Sequence, residues 1–357
     1  MLDRELDDLT ILLPPLLQSL EALGFISRYL DPQQVAEVVE SVGRPDDVVR
    51  ETLPRLAGWS EPLAALRGAL TQAAQETLAA YDELRGLLDQ GGDMGAIYRA
   101  LRHVPRAQET LFPLASGLKP VSRFFLEPEL RGDDELLTRL AQAPQREDTG
   151  LAHVGDAPGA RGGFSIYVPE TYTPDVAWPL VMALHGGAGT GRGFLWSWLR
   201  EARGRGAILI APTATGETWA LQGPDTDSPN LARILAFARD RWNVDPDRLL
   251  LTGMSDGGTF SYVSGLEAGS PFTHLAPASA AFHPMLVETA DPERLAGLPI
   301  HIAHGALDWM FPVGMAREAA QFLAASGAVV TYRELPDLSH AYPRELNPQI
   351  LAWLNRA

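Results

Sequence analysis

Leu249-Leu250-Leu251-Thr252-Gly253-Met254-Ser255-Asp256-Gly257-Gly258 sets a short apolar run directly before a serine bracketed by glycines. The residues that follow, Thr259-Phe260-Ser261-Tyr262-Val263, continue as a helix to about Leu266. A G-x-S-x-G element between a strand and a helix predicts a nucleophile elbow. The physical reason lies in the glycines. The chain turns so sharply at the serine that residues two before and two after it must lack bulk. Such a turn lifts the Ser255 hydroxyl above the sheet edge, beside a helix N-terminus. Asp256 is expected to turn into the first turn of that helix and cap its free N–H groups.

Reading outward, the surrounding chain alternates strands and helices. Residues 164–168 (Phe-Ser-Ile-Tyr-Val), 180–184 (Leu-Val-Met-Ala-Leu), 207–210, 301–303 and 329–332 read as strands. Residues 229–242, 313–326 and 347–355 read as helices. Fully apolar strands separated by helices predict an α/β fold with a mostly parallel sheet covered on both faces.

A serine hydroxyl needs a base, and the base needs an orienting acid. Asp308 follows the strand at 301–303, and His340 follows the strand ending near Leu335. Both fall in loops at carboxyl ends of strands, where ligands bind in open α/β sheets. The order Ser255, Asp308, His340 fits this arrangement. Asp337, three residues from His340, reads as a turn residue. Of the other histidines, His103, His153 and His274 lie outside the site, and His185 comes too early in the chain to be the base. His301 is mid-strand and reads as core. His304 supports the Asp308 loop, and His283 is a pocket candidate.

Developing negative charge needs donors in place. One is the backbone N–H of Asp256. The other comes from the loop after residues 180–184, His185-Gly186-Gly187-Ala188-Gly189, through Gly187 or Ala188. Met254, Trp219, Trp309, Phe311 and His283, with His185 and Gly186 of the loop, are the candidate substrate-binding residues.

Residues 1–150 read differently. They are helix after helix, with Leu and Ala at three- and four-residue spacing. Asp31-Pro32 marks one helix start and Gly43 its end. Ser60-Glu61-Pro62 opens a long helix through Leu63, Leu66, Leu70, Tyr81, Leu84 and Leu88, stopped by Gly91-Gly92. Shorter helices are expected at 94–103, 106–116, 120–126 and 133–142, and residues 143–150 read as a linker. The expected organisation is a helical domain over 1–150 and an α/β domain over 151–357. The stretch from Leu9 to Leu23, interrupted by Pro14-Pro15 and Glu21, reads as too short and broken to span a bilayer. The acidic start lacks the basic character of a signal peptide, so a cytoplasmic location is expected.

The 357 residues include no cysteine, which excludes disulfide scaffolds, cysteine-ligated metals and thiol nucleophiles. A net charge of −16 argues against nucleic acid and anionic membrane surfaces as partners. Residues 1–150 hold 25 acidic and 15 basic residues, so this part carries −10 of that charge.

These residues carry a resemblance. The His185-Gly186-Gly187 loop, Val244-Asp245-Pro246-Asp247-Arg248, Gly253-Met254-Ser255-Asp256-Gly257-Gly258, His304-Gly305-Ala306-Leu307-Asp308 with Phe311-Pro312, and Ser339-His340 are together similar to the α/β-hydrolase superfamily. Within it, residues 151–357 most resemble the phospholipase/carboxylesterase and polyhydroxybutyrate-depolymerase or feruloyl-esterase-like group. The resemblance implies ester hydrolysis through an acyl-serine intermediate, without metal or cofactor, on a small-molecule ester. Asp256 departs from that group, which more often has Gln or Ala there. The same fold also hosts serine peptidases and thioesterases, and a non-catalytic binding role is the third reading. The resemblance does not reach residues 1–150, for which a cap, a homodimer contact and a packing extension compete.

Overall fold

The computed structural model describes residues 3–89 and 93–356. The chain divides into two compact units, Met1–Ala141 and Gln142–Ala357.

Among the described residues the first unit is helical, with no strand. Helix α1, Asp3–Arg28, buries Leu9, Leu12, Leu13, Leu16, Leu20, Leu23 and Ile26 at three- and four-residue spacing. It corrects the expectation of a broken segment, because the helix runs through Pro14 and Pro15. An interior proline costs about 3 kcal/mol. Seven buried apolar side chains at roughly 1.5–3 kcal/mol each outweigh that. By length and composition α1 is apolar enough to cross a membrane, and 44% of its most apolar window is buried within the protein.

Helix α2, Ala64–Asp89, follows a 3-10 turn at Glu61–Leu63. Its expected stop, Gly91-Gly92, lies outside the described residues. Tyr81 Oη of α2 donates to the Ser19 carbonyl of α1 at 2.9 Å. At Asp31-Pro32 the chain forms a turn in which Asp31 Oδ1 accepts from Gln33 N–H, and the regular helix is Val35–Ser41. Gly43 closes it at φ +66°. Met94–Ala100, His103–Leu111, Lys119–Phe124 and Asp134–Gln142 complete the helical pattern.

The second unit is built on one sheet. Its strands are β1 (Gly150–Val154), β2 (Phe164–Val168), β3 (Trp178–Leu184), β4 (Ile208–Pro212), β5 (Val244–Met254), β6 (His274–Ala278), β7 (Pro299–Gly305) and β8 (Val329–Leu335), in the order β1-β2-β4-β3-β5-β6-β7-β8. The pairs β1–β2 and β2–β4 are antiparallel, and the rest are parallel. Every residue of 180–184 and 249–251 is fully buried, although successive side chains point to opposite faces. The centre of the sheet is therefore covered on both sides.

Residues 143–149, expected as a linker, pack within this unit. Arg146 pairs with Asp148 and lies over the Tyr172 ring, and Asp148 O accepts from Trp242 Nε1 at 2.7 Å. The helices that matter below are α3 (Leu199–Arg205), α4 (Asp227–Arg239), α5 (Asp256–Gly265), α6 (Gly314–Ala325) and α7 (Asn347–Leu354).

Candidate active site

β5 ends at Met254 and α5 begins at Asp256, so the whole turn falls on Ser255, at φ 55° and ψ −122°. A Cβ on Gly253 would lie 2.5 Å from the Gly257 carbonyl, and one on Gly257 would lie 2.5 Å from the carbonyls of Leu184 and His185. Only glycine permits this approach of helix to strands. The strained serine is thus locked by packing on both sides.

Ser255 Oγ lies 3.0 Å from His340 Nε2. His340 Nδ1 lies 2.9 and 3.0 Å from the two Asp308 oxygens. All three side chains are buried, at 7%, 2% and 8% exposure, which shields the contacts from water. Asp308 Oδ1 also accepts from the backbone N–H groups of Met310 and Phe311, at 2.9 and 2.8 Å. His304 Nε2 sits 2.8 Å from the Phe311 carbonyl and 3.4 Å from Asp308 Oδ2. Contact with the carbonyl requires the proton on Nε2. Burial holds the His304 imidazole below its ordinary pKa. The Asp308 carboxylate is therefore fixed in the orientation that faces His340.

On the opposite flank lies the loop after β3. His185 is 1% exposed and uses both ring nitrogens: Nε2 accepts from Ala214 N–H at 3.1 Å, and Nδ1 lies 2.7 Å from the Gly186 carbonyl. Burial pushes its pKa down to about 4, which matches this neutral bonding. Trp219 is 2% exposed, donates from Nε1 to the His185 carbonyl at 2.7 Å and stacks on Phe260. These facts correct the expectation that His185 and Trp219 meet substrate. Both lie beneath the loop and shape it. Gly186 backs onto Ser255, since a Cβ there would be 3.5 Å from the Ser255 Cβ, and Met254 is half-buried beside it. Gly187 and Ala188 are exposed at the loop tip, Ala188 with φ 54°. The Asp256 N–H opens a helix and has no intrahelical acceptor.

The Asp256 side chain does not cap its helix. It leaves the helix sideways, so that Oδ2 accepts from Thr218 Oγ1 at 2.6 Å and would lie 2.9 Å from a Cβ on Gly187. The Thr218 hydroxyl partly screens the carboxylate. Thr218 and Arg161 were not singled out in the sequence. Arg161 donates to the carbonyls of Gly189 and Glu217 at 3.1 and 3.0 Å, strapping the two loops together. Thr218 adjoins Trp219 in the loop after β4, a position that could have flagged it. Arg161 sits before β2, and no local pattern marks it.

The aromatic residues Phe311 and Trp309 border His340. Phe311 stands edge-on at 5.3 Å between ring centroids, and Trp309, 42% exposed, stands at 6.1 Å. His283 is exposed, and its Nδ1 accepts from Met285 N–H at 3.1 Å, which makes it a turn residue. His301 is buried in β7 near Trp353. Among the described residues no group of three or more His, Cys, Asp or Glu is arranged to hold a metal ion. A serine hydroxyl against an imidazole that is held by a carboxylate can transfer a proton as it attacks an electrophilic carbon.

Residues 231–355 match the family model described as phospholipase/carboxylesterase. A bifunctional acetylxylan esterase/xylanase, XynS20E of Neocallimastix patriciarum, is 25% identical over 201 residues, which are 53% of this chain. The chain spans only 27% of the length of that relative. Among solved structures, a thermostable esterase is 21% identical with a TM-score of 0.46, covering 59% of this chain and 63% of its own. Esterase PE8 is 20% identical with a TM-score of 0.43, covering 54% and 96%.

Proposed function

From a second unit that has the α/β-hydrolase fold and matches the phospholipase/carboxylesterase family over residues 231–355, we propose that this protein is a serine carboxylesterase. Ser255 Oγ attacks the ester carbonyl while His340 Nε2 takes its proton. Asp308 holds the His340 Nδ1–H and stabilises the imidazolium that forms. The carbonyl oxygen becomes an oxyanion and accepts from Asp256 N–H and from Gly187 or Ala188 N–H. His340 then returns its proton to the leaving alcohol, which departs and leaves the acyl group on Ser255. Water, deprotonated by His340, attacks the acyl carbon, and the carboxylic acid leaves as Ser255 is regenerated. No step needs a metal or cofactor, because nucleophile, base and donors all belong to the chain.

The observation that carries this reading is the 3.0 Å Ser255–His340 contact, continued to Asp308 and built on a strained serine. Trp309 and Phe311 flank the base, and so border the alcohol that it protonates. The acetylxylan esterase relative makes acetyl esters the first substrates to try. The test is a panel of p-nitrophenyl esters from acetyl to octanoyl, with wild type and Ser255→Ala side by side. Hydrolysis by wild type and its loss in the variant is the expected result. Comparable hydrolysis by both overturns the nucleophile assignment.

A further inference from the structure

Among the described residues three non-glycines have positive φ: Ala188, Ser255 and Ser279. The first two belong to the loop and the nucleophile turn already described. Ser279, at φ 44°, follows β6, a strand that contributes no group to the proposed chemistry. A serine held there costs of order 1–3 kcal/mol and persists only where the surroundings over-determine it. Ser279 has no exposed surface, so solvent provides no reason for the conformation.

Its contacts supply a reason. The dipeptide Ala278-Ser279 touches all three segments that carry the reacting groups. The Ala278 carbonyl accepts from Ser255 N–H at 3.1 Å, on the nucleophile turn. Ser279 N–H donates to the Ala303 carbonyl at 3.0 Å, on the strand that leads to Asp308. Ser279 Oγ donates to the Ala341 carbonyl at 3.0 Å, on the residue after His340. Helix α5 leaves no room for the dipeptide to shift, since a Cβ on Gly258 would lie 2.8 Å from the Ala278 carbonyl and 2.9 Å from the Ala280 Cβ. The left-handed backbone at 279 turns the chain so that successive polar groups reach three different loops.

We propose that Ser279 is a positioning residue that sets the His340 loop against Ser255 and Asp308, through its hydroxyl bond to the Ala341 carbonyl and its constrained backbone. This rests on the serine-esterase reading. Ser279 touches no substrate. It acts on the Ser255–His340 distance, on which proton transfer depends steeply, because a misplacement of about 1 Å can cost about a hundredfold. Loss of its hydroxyl should therefore slow acylation and leave ground-state binding unchanged.

The experiment compares Ser279→Ala with Ser279→Gly in the full chain. Alanine removes the hydroxyl and keeps the strain, whereas glycine removes both, so the glycine variant should be the more stable of the two. The expected result is an approximately tenfold or greater fall in kcat for both variants, with KM within about twofold of wild type. Covalent labelling of Ser255 by a fluorophosphonate should slow to the same extent. Activity and melting temperature thus part company, which a merely structural role does not produce. Kinetics that follow stability, with the glycine variant active and the alanine variant not, overturn the proposal. So does wild-type turnover and labelling in both variants, with the esterase reading left intact. A wild type that is neither labelled at Ser255 nor active on any ester overturns both readings. Should the alanine variant fail to fold, the glycine variant decides alone by its kcat and labelling rate.

Discussion

Among the described residues of the helical unit, the buried carboxylates of Asp46, Glu5 and Asp8 are met by partners within the same unit, and no non-glycine has a positive φ. Asp46, with no exposed side-chain surface, is held by Arg85 at 2.7 Å and Arg50 at 3.3 Å. Burial pushes its carboxyl up, but the guanidinium bonds outweigh it and leave the pKa below the ordinary value. Glu5 accepts from Ser60 N–H, and Asp8 accepts from Trp59 Nε1. In the sheet unit, all three strained non-glycines of the described residues sit just beyond carboxyl ends of strands. A sheet whose central strands are buried on both faces can hold such conformations, whereas an assembly of helices held by side-chain ties has no use for them. The difference separates a unit that spends packing energy on itself from one that diverts part of it to orienting a few polar groups.

Five changes would break or sharpen this contrast. The largest expected effect is at the ordered carboxylate of the sheet unit. Asp308→Asn should cut kcat about 10⁴-fold, because an amide favours the wrong His340 tautomer. Steady-state kinetics on an active ester checks it, and a loss under tenfold would remove Asp308 from the scheme. In the helical unit, Arg85→Ala should cost about 3–5 kcal/mol in denaturant unfolding, since it leaves Asp46 buried with one weaker partner. A loss below about 1 kcal/mol would mean that water reaches Asp46.

The third change tests a buried acid that is hydrogen-bonded to a neutral amide. Glu201 of α3 has Asn347 Nδ2 at 3.4 Å, and burial raises its pKa to about 7 from an ordinary 4.5. The folded state therefore binds this proton more tightly than the unfolded state. The resulting stabilisation is fully present below pH 4.5 and is lost as pH rises through 7. Between pH 4 and 8, wild type should lose roughly 3 kcal/mol relative to Glu201→Gln. Parallel urea curves for the two proteins would show no such effect.

Fourth, Pro14→Ala should raise stability by up to about 3 kcal/mol, because it restores an N–H inside α1 at an exposed position. A lower melting temperature would mean that the proline ring is needed in the packing. The smallest effect concerns Trp309→Ala, with KM raised about threefold and kcat nearly unchanged, as expected for an exposed aromatic surface that only binds. A kcat effect larger than the KM effect would place Trp309 in the reacting geometry.

The elements with strong local patterns were legible in the sequence. The apolar runs of β3 and β5, the glycine-bracketed serine and the helices after residue 225 stand out because each is a contiguous pattern of residue types. The misses have physical causes. β6, His-Leu-Ala-Pro-Ala, includes Pro277, which has no ladder N–H and reads as a breaker. β1 is only half-buried and pairs on one side, so it lacks an apolar signature. α1 continues through two prolines because long-range burial of its leucines outweighs a local rule. At the site, residue type and strand order pointed to Ser255, Asp308 and His340, and the fold places Ser255 and Asp308 each within hydrogen-bond distance of His340. They could not reveal that His185 and Trp219 lie beneath the loop, that Asp256 turns toward Thr218, or that Ser279 ties three segments. Those facts depend on side-chain direction and on contacts between residues distant in sequence.

The 85-residue separation between Ser255 and His340 has a temporal consequence. The hydroxyl and the imidazole become neighbours only after β6, β7 and β8 have joined the sheet in register, and such non-local pairing forms slowly. A nascent or partly folded chain is therefore chemically silent on the proposed reading. The appearance of esterase activity during refolding would then act as a clock for closure of the sheet's second half, with no spectroscopic label attached.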